Sequence, residues 1–425
     1  MRTESIFNMA ASNIRFGPGA TGELGMELAD AGVRRVLVLT DANLARQSFF
    51  LMALNALEES GIDYTLFDRV RVEPTDASFK EAIAVATEGD YEGFVAIGGG
   101  STIDTAKAAN LYSSHPADFL DYVNAPIGKG MPVPGPVKPL YAVPTTAGTG
   151  SEVTGVAIFD LIEMHAKTGI ASLWLKPTLG ILDPNNTRSL PSQVAAATGL
   201  DVLSHAIESY TALPYKDRLQ AERPKLRPTY QGSNPISDTW SLTSLRMVAQ
   251  YIQRVFDDPG DDEARGMMLL AASYAGVGFG NAGVHLPHGM SYPVSSMVRG
   301  FKPDGYNVDH PIIPHGMSVI LNAPAVFRFT ASANPSRHLA AAEALGADVR
   351  NAREEDAGKI LAGRILEFMQ RLNVPSGLKA IGFTAADIPA LVEGTLPQHR
   401  VTKLSPRPAG AVELTGMFED AMCYW

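Results

Sequence analysis

The first half of the chain alternates two patterns of apolar and polar residues. Residues 35–39, RVLVL, form a short apolar run closed by Thr40-Asp41, which predicts a parallel strand buried on both faces. Helical spacing follows over 43–60 and stops at Gly61. Residues 62–67, IDYTLF, alternate as a second strand, and 76–88 read as a helix. FVAIGGGS (94–101) is a strand running into glycines, followed by a helix over 102–112. MPVPGPVKP (131–139) is a proline-rich loop and LYAVP (140–144) a further strand. Strand–helix alternation of this kind predicts a doubly wound parallel sheet.

After ILDP (181–184) the strand patterns fade and helical spacing takes over, at 191–212, 237–256, 262–280, 316–330, 336–346 and 354–372. The predicted architecture is therefore an α/β domain over 1–188 and an all-helical domain over 189–425. Two irregular stretches, 213–235 and 299–314, interrupt the helices, and loops of that length inside a compact domain are functional or mobile. The most apolar stretch, MMLLAASYAGVGFG (267–280), is too short to span a bilayer and reads as a buried helix. There is no internal repeat and no low-complexity tract.

Composition narrows the classes. At 425 residues, with 45% hydrophobic and 19% charged residues, the chain has material for two ordinary cores. A net charge of −10 without a long basic run argues against a nucleic-acid partner, and no segment calls for a membrane. The single cysteine, Cys423, rules out an intrachain disulfide and a thiolate metal site. The first twenty residues carry Glu4 and no apolar core, so they read neither as a secretory signal nor as a transit peptide. The expected location is the cytoplasm, or the mitochondrial matrix for a mature eukaryotic form.

Two sets of residues carry chemistry. Asp201 and His205 are four apart in GLDVLSHAIE (199–208) and project from one helix face. His288 and His315 each open an HGM triplet, at 288–290 and 315–317. One carboxylate and three imidazoles suit Fe²⁺ or Zn²⁺. A D-x-x-x-H pair alone also occurs as a plain structural feature; the two further histidine segments favour a metal site. In the first half, Gly98, Gly99, Gly100 and Ser101 lie between a strand and a helix, where backbone can approach a pyrophosphate and the helix offers free N–H groups. The full G-x-G-x-x-G fingerprint is absent, so the same residues also fit a tight strand–helix turn. PTTAGTGSE (144–152), after the next strand, adds a second loop of small and hydroxyl residues. Asp41 closes the first clear strand, where a carboxylate accepts from a ribose 2′-OH and repels a 2′-phosphate, favouring NAD; Asp is equally a good helix cap.

GGGSTIDTAK, PTTAGTGSE, GLDVLSHAIE and NAGVHLPHGM, in this order and spacing, resemble the iron-containing (group III) alcohol dehydrogenases over essentially the whole chain. DFLDYVNAPIGKG (118–130), YQGSNPISD (230–238), YNVDHP (306–311) and LPQHRVTKLSP (396–406) further resemble a branch that passes hydride between a hydroxyacid and an oxoacid through bound NAD. The resemblance implies a Rossmann-like NAD-binding domain and a helical metal-binding domain, the fold shared with dehydroquinate synthase-like proteins. It implies metal ligation by Asp201, His205, His288 and His315, and a pyrophosphate loop at Gly98–Ser101 with Asp104 in the same motif. It further implies a nicotinamide-side loop at Thr145, Thr146 and Thr149, an adenosine-ribose carboxylate at Asp41, nicotinamide-ribose contact by Lys167, and a pocket wall at Leu179. The substrates it implies are 4-hydroxybutyrate as donor and 2-oxoglutarate as acceptor, and the assembly a homo-oligomer.

Three departures from the family pattern stand out. Tyr292 occupies the place of a second histidine four residues after His288, a position credited with proton relay; His285 and His310 are the other candidates for moving protons. Glu73, in VEPT (72–75), replaces an asparagine. Arg400 and Lys403, in RVTKLSPR (400–407), replace a T-G-G-N-P-R segment and bring cations suited to a substrate carboxylate, with Lys129 as a further candidate; a solvated basic loop fits the same residues. An ordinary NAD-dependent 4-hydroxybutyrate or primary-alcohol dehydrogenase shares every one of these motifs. A sugar-phosphate cyclase, a lyase using NAD and zinc, would need a Lys/Arg cluster for phosphate beside the metal motifs, and none is visible.

Overall fold

In the computed structural model, residues 2–164 and 166–425 are described. The chain divides into two compact units, Ala10–Leu190 and a helical unit that begins at Pro191. The described residues before Ala10 group with the helical unit, not with the domain expected over 1–188.

The first unit is built on eight strands: β1 (Asn13–Phe16), β2 (Arg35–Leu39), β3 (Asp63–Phe67), β4 (Gly93–Gly98), β5 (Leu140–Pro144), β6 (Val156–Leu161), β7 (Ala166–Ala171) and β8 (Leu179–Leu182). Six form one sheet in the order β1-β8-β5-β4-β2-β3, every pair parallel, and β6 and β7 form a separate antiparallel pair. Its helices are α1 (Leu24–Asp30), α2 (Ser48–Glu59), α3 (Asp76–Glu88) and α4 (Gly100–Ser114). Strand alternation sends β2 residues to opposite faces. Val36 and Val38 pack with Leu24, Leu28, Phe50 and Leu57 from α1 and α2. Leu37 and Leu39 pack with Ala82 and Ala86 of α3 and Ile103 and Ala106 of α4. Helices therefore cover both faces, as doubly wound patterning predicts.

The strand order reverses at β2. From there the chain steps out to β3, returns to β4 on the other side, and continues through β5. In parallel α/β sheets the crevice outside the carboxyl ends of the strands at such a switch point is where ligands bind. Asp41 follows β2 and the glycines follow β4, so both flank that crevice.

The helical unit contains α5 (Ser192–Thr211), α6 (Pro235–Asp257), α7 (Asp262–Ala282), α8 (Leu286–Ser296), α9 (His315–Ile320), α10 (Ala323–Thr330), α11 (Pro335–Ala344), α12 (Ala357–Arg371), α13 (Ile388–Thr395), α14 (His399–Thr402) and α15 (Ala411–Ala421). The segment 267–280 lies within α7 and is largely buried. Among the described residues no single helix is long and apolar enough to cross a membrane.

Several elements differ from the sequence expectation. The helix expected over 43–60 is a 3₁₀ turn, Leu44–Arg46, followed by α2, with Gln47 extended between them. The helix expected over 316–330 is α9 and α10, because Pro324 lacks an N–H and in a continuous helix its ring would clash with the carbonyl of Ile320. Strands β1, β6, β7 and β8 and helix α8 are not among the expected elements; β7, reading AKTGIA, and α8, holding Pro287, Gly289 and Pro293, carry weak patterns.

Candidate metal centre and nucleotide crevice

Helix α5 is buried almost all round, yet carries the ionisable residues Asp201, His205 and Glu208 at i, i+4 and i+7, one stripe along its face. Buried groups of this kind are costly unless partnered. The partners come from α8 and α9. Gly283, with φ +97°, ends α7 in a conformation open to glycine and turns the chain into the His285–α8 segment. Gly316 lets α9 lie directly on α5: a Cβ there would stand 2.1 Å from the Ala197 carbonyl and 2.8 Å from Asp201 Cβ.

The result gathers all four expected ligands. One ligand atom from each of Asp201, His205, His288 and His315 lies within 4.8 Å of the other three. Ligands about 2.0–2.2 Å from one ion span up to roughly 4.4 Å, so the set is close to the size of a single cation. His205 Nε2 and His288 Nε2 face each other at 3.0 Å, the separation of neighbouring ligands on a small ion. His288 Nε2 is 3.7 Å from Asp201 Oδ1, and His205 Nδ1 is 3.8 Å from Asp201 Oδ2. The donors, neutral imidazole and carboxylate, fit a borderline divalent metal.

Burial and neighbours set the protonation of these rings. His205, stacked on Phe279 with centroids 4.0 Å apart, is held well below the ordinary histidine range by desolvation, then by His288 and His315. It is therefore neutral, as a ligand must be. For His288, burial disfavours the charged ring, but Glu208 and Asp201 outweigh it and raise the pKa. The cause is direct: Glu208 Oε2 lies 2.5 Å from His288 Nδ1. A proton on Nδ1 facing the carboxylate leaves Nε2 with its lone pair toward the other ligands. Glu208 also accepts from the backbone N–H groups of His285 (2.8 Å) and His288 (3.3 Å). Sequence reasoning quoted the motif containing Glu208 but gave it no role. The available signal was a carboxylate seven residues after Asp201 on the same face of a helix with no other acidic residue.

The other expected residues of this unit divide clearly. Tyr292 stands one turn after His288 on α8, is buried, and accepts a 2.9 Å hydrogen bond from Arg400 Nη2. Lys403 follows α14 and is exposed. His285 is fully buried, its Nε2 3.0 Å from Thr211 Oγ1, and burial lowers its pKa to about 4, which suits a core residue and not a proton carrier. His310 pairs locally with Asp309 at 2.9 Å.

In the first unit the glycine loop packs tightly on the second loop. A Cβ at Gly98 would stand 2.3 Å from Thr102 Oγ1, one at Gly100 2.6 Å from Thr149 Cγ2, and one at Gly99 3.3 Å from Thr146. Thr145 N donates to Gly98 O at 3.1 Å. The N-terminal turn of α4, including Ser101, opens at this place. Asp41 accepts from Asn43 N (2.8 Å) and Leu44 N (3.1 Å), so it caps the 3₁₀ turn while its carboxylate retains further acceptor capacity. Burial raises its pKa.

Three expected cofactor residues need revision or refinement. Both Asp104 oxygens are engaged inside the unit, with Ser151 Oγ at 2.5 Å and Ile158 N at 2.9 Å, and Lys107 Nζ adds a contact at 3.4 Å. Its place is to tie α4 to the following loop and hairpin. Leu179 opens β8, pairs with Tyr141 near the amino edge and belongs to the sheet core, whereas the glycine loops lie at the carboxyl edge. Lys167 is buried and bridges Glu73 (2.7 Å) and Asp160 (3.2 Å), while Glu73 N donates to Ser101 Oγ at 3.2 Å. Glu73, with φ +54°, thus links the lysine to the glycine loop. Lys129 is exposed and paired with Asp121 at 2.6 Å.

Comparison with known proteins follows the same division. Residues 11–184 match the family description "Iron-containing alcohol dehydrogenase", and residues 229–422 match its C-terminal counterpart. The chain belongs to the iron-containing alcohol dehydrogenase family and is an oxidoreductase acting on small molecules. Within it, the chain is 58% identical to a hydroxyacid-oxoacid transhydrogenase, mitochondrial, of Xenopus tropicalis, over 99% of this chain and 91% of that one. It is 56% identical to the protein of that name from Homo sapiens, over 99% of this chain and 90% of that one. Among solved structures, 1,3-propanediol oxidoreductase shares 26% identity with a TM-score of 0.85, covering 98% of this chain and 100% of the other. Sulfoacetaldehyde reductase from Bifidobacterium kashiwanohense, solved with NAD+, shares 25% with a TM-score of 0.79, covering 98% of each. The α/β sheet followed by a helical region is the fold of these enzymes, as expected from the sequence, and the family implies a nicotinamide cofactor and a divalent metal.

Proposed function

We propose that this chain is a hydroxyacid–oxoacid transhydrogenase. It takes hydride from a hydroxyacid, 4-hydroxybutyrate, and gives it to an oxoacid, 2-oxoglutarate, through NAD that stays bound; the products are succinate semialdehyde and 2-hydroxyglutarate. The observation that carries the reading is the identity of 58% and 56% to two proteins of that name along 99% of the chain. The same comparison supports a mitochondrial matrix location for a eukaryotic source.

Asp201, His205, His288 and His315 would hold Fe²⁺ or Zn²⁺. When bound, the ion supplies Lewis acidity that eases proton removal from a substrate hydroxyl. Glu208 fixes the tautomer of His288, and Phe279 packs the face of His205. In the other unit, Gly98, Gly99, Gly100 and Ser101 would receive the pyrophosphate, Thr145, Thr146 and Thr149 would line the nicotinamide side, and Lys167 would reach the adjoining ribose. The Glu73–Lys167 pair supports that last role by fixing the ammonium relative to the glycine loop. Asp41 would accept the adenosine ribose hydroxyls. Edge strand β1, with exposed Ile14 and Phe16, supports assembly as a homo-oligomer.

The function is tested by mixing metal-loaded protein with 4-hydroxybutyrate and 2-oxoglutarate and no added NAD. Many turnovers of 2-hydroxyglutarate are expected. Turnover only on adding free NAD, with NADH accumulating, would make the protein an ordinary dehydrogenase.

Asp41 selects the cofactor in this reading. A 2′-phosphate beside its carboxylate meets like-charge repulsion and finds no 2′-OH bond. Asp41→Gly should therefore narrow or reverse the preference for NAD over NADP, measured as the ratio of the two dissociation constants. Equal binding of both by the unmutated protein would show that Asp41 does not discriminate.

A further inference from the structure

Arg400 lies on α14 and meets α8 beside the histidines. Its Nη2 donates to Tyr292 Oη at 2.9 Å, and its guanidinium carbon is 5.0 Å from the Tyr230 ring centroid. Its Nη1 is shielded from solvent and has no hydrogen-bond partner. No carboxylate among the described residues pairs with it: burial disfavours its charge, and the groups that favour it are the two tyrosines, both hydrogen-bonding to the guanidinium. Its own positive charge reaches His288. A guanidinium shielded from water with an unfilled N–H and no counter-charge is an unfavourable arrangement for the protein alone. It becomes favourable when an anion supplies the missing acceptor, and the planar fork of Arg matches a carboxylate.

The geometry points to Arg400 as the anchor for the substrate carboxylate, held in place by Tyr292 and Tyr230. This rests on the proposed hydroxyacid and oxoacid chemistry and specifies the residue that selects acids over neutral alcohols. Tyr292 is one turn beyond His288 on the same face of α8, a rise of about 5.4–6 Å. A four-carbon ω-hydroxyacid carries its hydroxyl and carboxylate at a comparable separation, so one molecule can address both ends. Tyr292 then acts on the orientation of Arg400, a different task from the proton relay expected at its position. Of the three cations considered, Lys403 and Lys129 are exposed, and Arg400 is the one with a solvent-shielded N–H that lacks an acceptor.

The test compares the unmutated protein with Arg400→Gln and Arg400→Lys. Gln retains a donor for Tyr292 and loses the charge; Lys keeps the charge and loses the fork. The readout is the ratio of kcat/KM for 4-hydroxybutyrate to that for 1-butanol. It should fall at least about tenfold in Arg400→Gln and recover in part in Arg400→Lys. In parallel, the 2-oxoglutarate concentration that half-saturates the rise in Tm should increase about tenfold or more in Arg400→Gln. Should Arg400→Gln fail to fold, Tyr292→Phe replaces it, with a smaller fall in the same ratio expected. A ratio and a half-saturation that do not move overturn the assignment. If the unmutated protein turns over neither acid, the reading of function fails, and the half-saturation shift alone decides the anchor.

Discussion

His205→Ala and His288→Ala lose the bound metal and with it at least about 100-fold in turnover. Each removes one of four donors that converge within 4.8 Å, and no other His, Cys, Asp or Glu joins that cluster among the described residues. This site is built around four donors, so losing one weakens its hold on the ion, and wherever the ion is lost the substrate hydroxyl would lose the Lewis acidity that eases its ionisation. The two variants differ in their structural cost. His205 stacks on Phe279, so truncation leaves a small apolar gap, whereas truncating His288 leaves the Glu208 carboxylate buried without its ring partner. His288→Ala should therefore also be the less stable of the two. Metal content by elemental analysis, kcat, and Tm check this together. Full metal content with full activity in either variant would remove the assignment of these residues as ligands.

Glu208→Gln weakens metal binding by about 10–100-fold while leaving all four ligands in place. The Gln carbonyl still accepts one hydrogen bond, but the negative charge that favours the proton on His288 Nδ1 is gone. Glu208→Ala goes further. It strands the ring N–H of His288 and the backbone N–H groups of His285 and His288, which the carboxylate now satisfies. Buried donors left without acceptors cost about 1–3 kcal/mol each, so this variant should be destabilised by roughly 3 kcal/mol or more. Competition with a chelator measures the affinity, and denaturant unfolding of the metal-free protein measures the stability. Unchanged affinity in Glu208→Gln would reduce Glu208 to a tie between α5 and the turn into α8.

The parts legible in the sequence were those where one physical requirement dominates a short stretch. β2 after Arg35, and β5, are apolar because both sheet faces are covered, and α3 starts at Asp76 because Thr75 caps it with Ser78. The Asp201–His205 pair was legible because a helix fixes its spacing. Residues whose role depends on distant packing were not. Glu208 faces a ring eighty residues away, and Lys167 pairs with Glu73 across a separation of 94. Leu179 and Asp104 were assigned to the cofactor from their motifs, and only strand register and buried hydrogen bonds place the first in the core and the second in an internal tie. Arg400 and Lys403 looked equivalent as two cations three apart; α14 buries one guanidinium and exposes the other side chain.

The central claim is that hydride passes between two acids on one retained nicotinamide. It is tested most directly with 4-hydroxybutyrate deuterated at the carbinol carbon, 2-oxoglutarate, metal-loaded protein and a large excess of unlabelled free NADH. The account predicts that deuterium from the donor appears at C2 of 2-hydroxyglutarate with little dilution by the free pool, in amounts well above the protein present. Product carrying protium from the free NADH, with deuterium accumulating in the soluble cofactor, would contradict it.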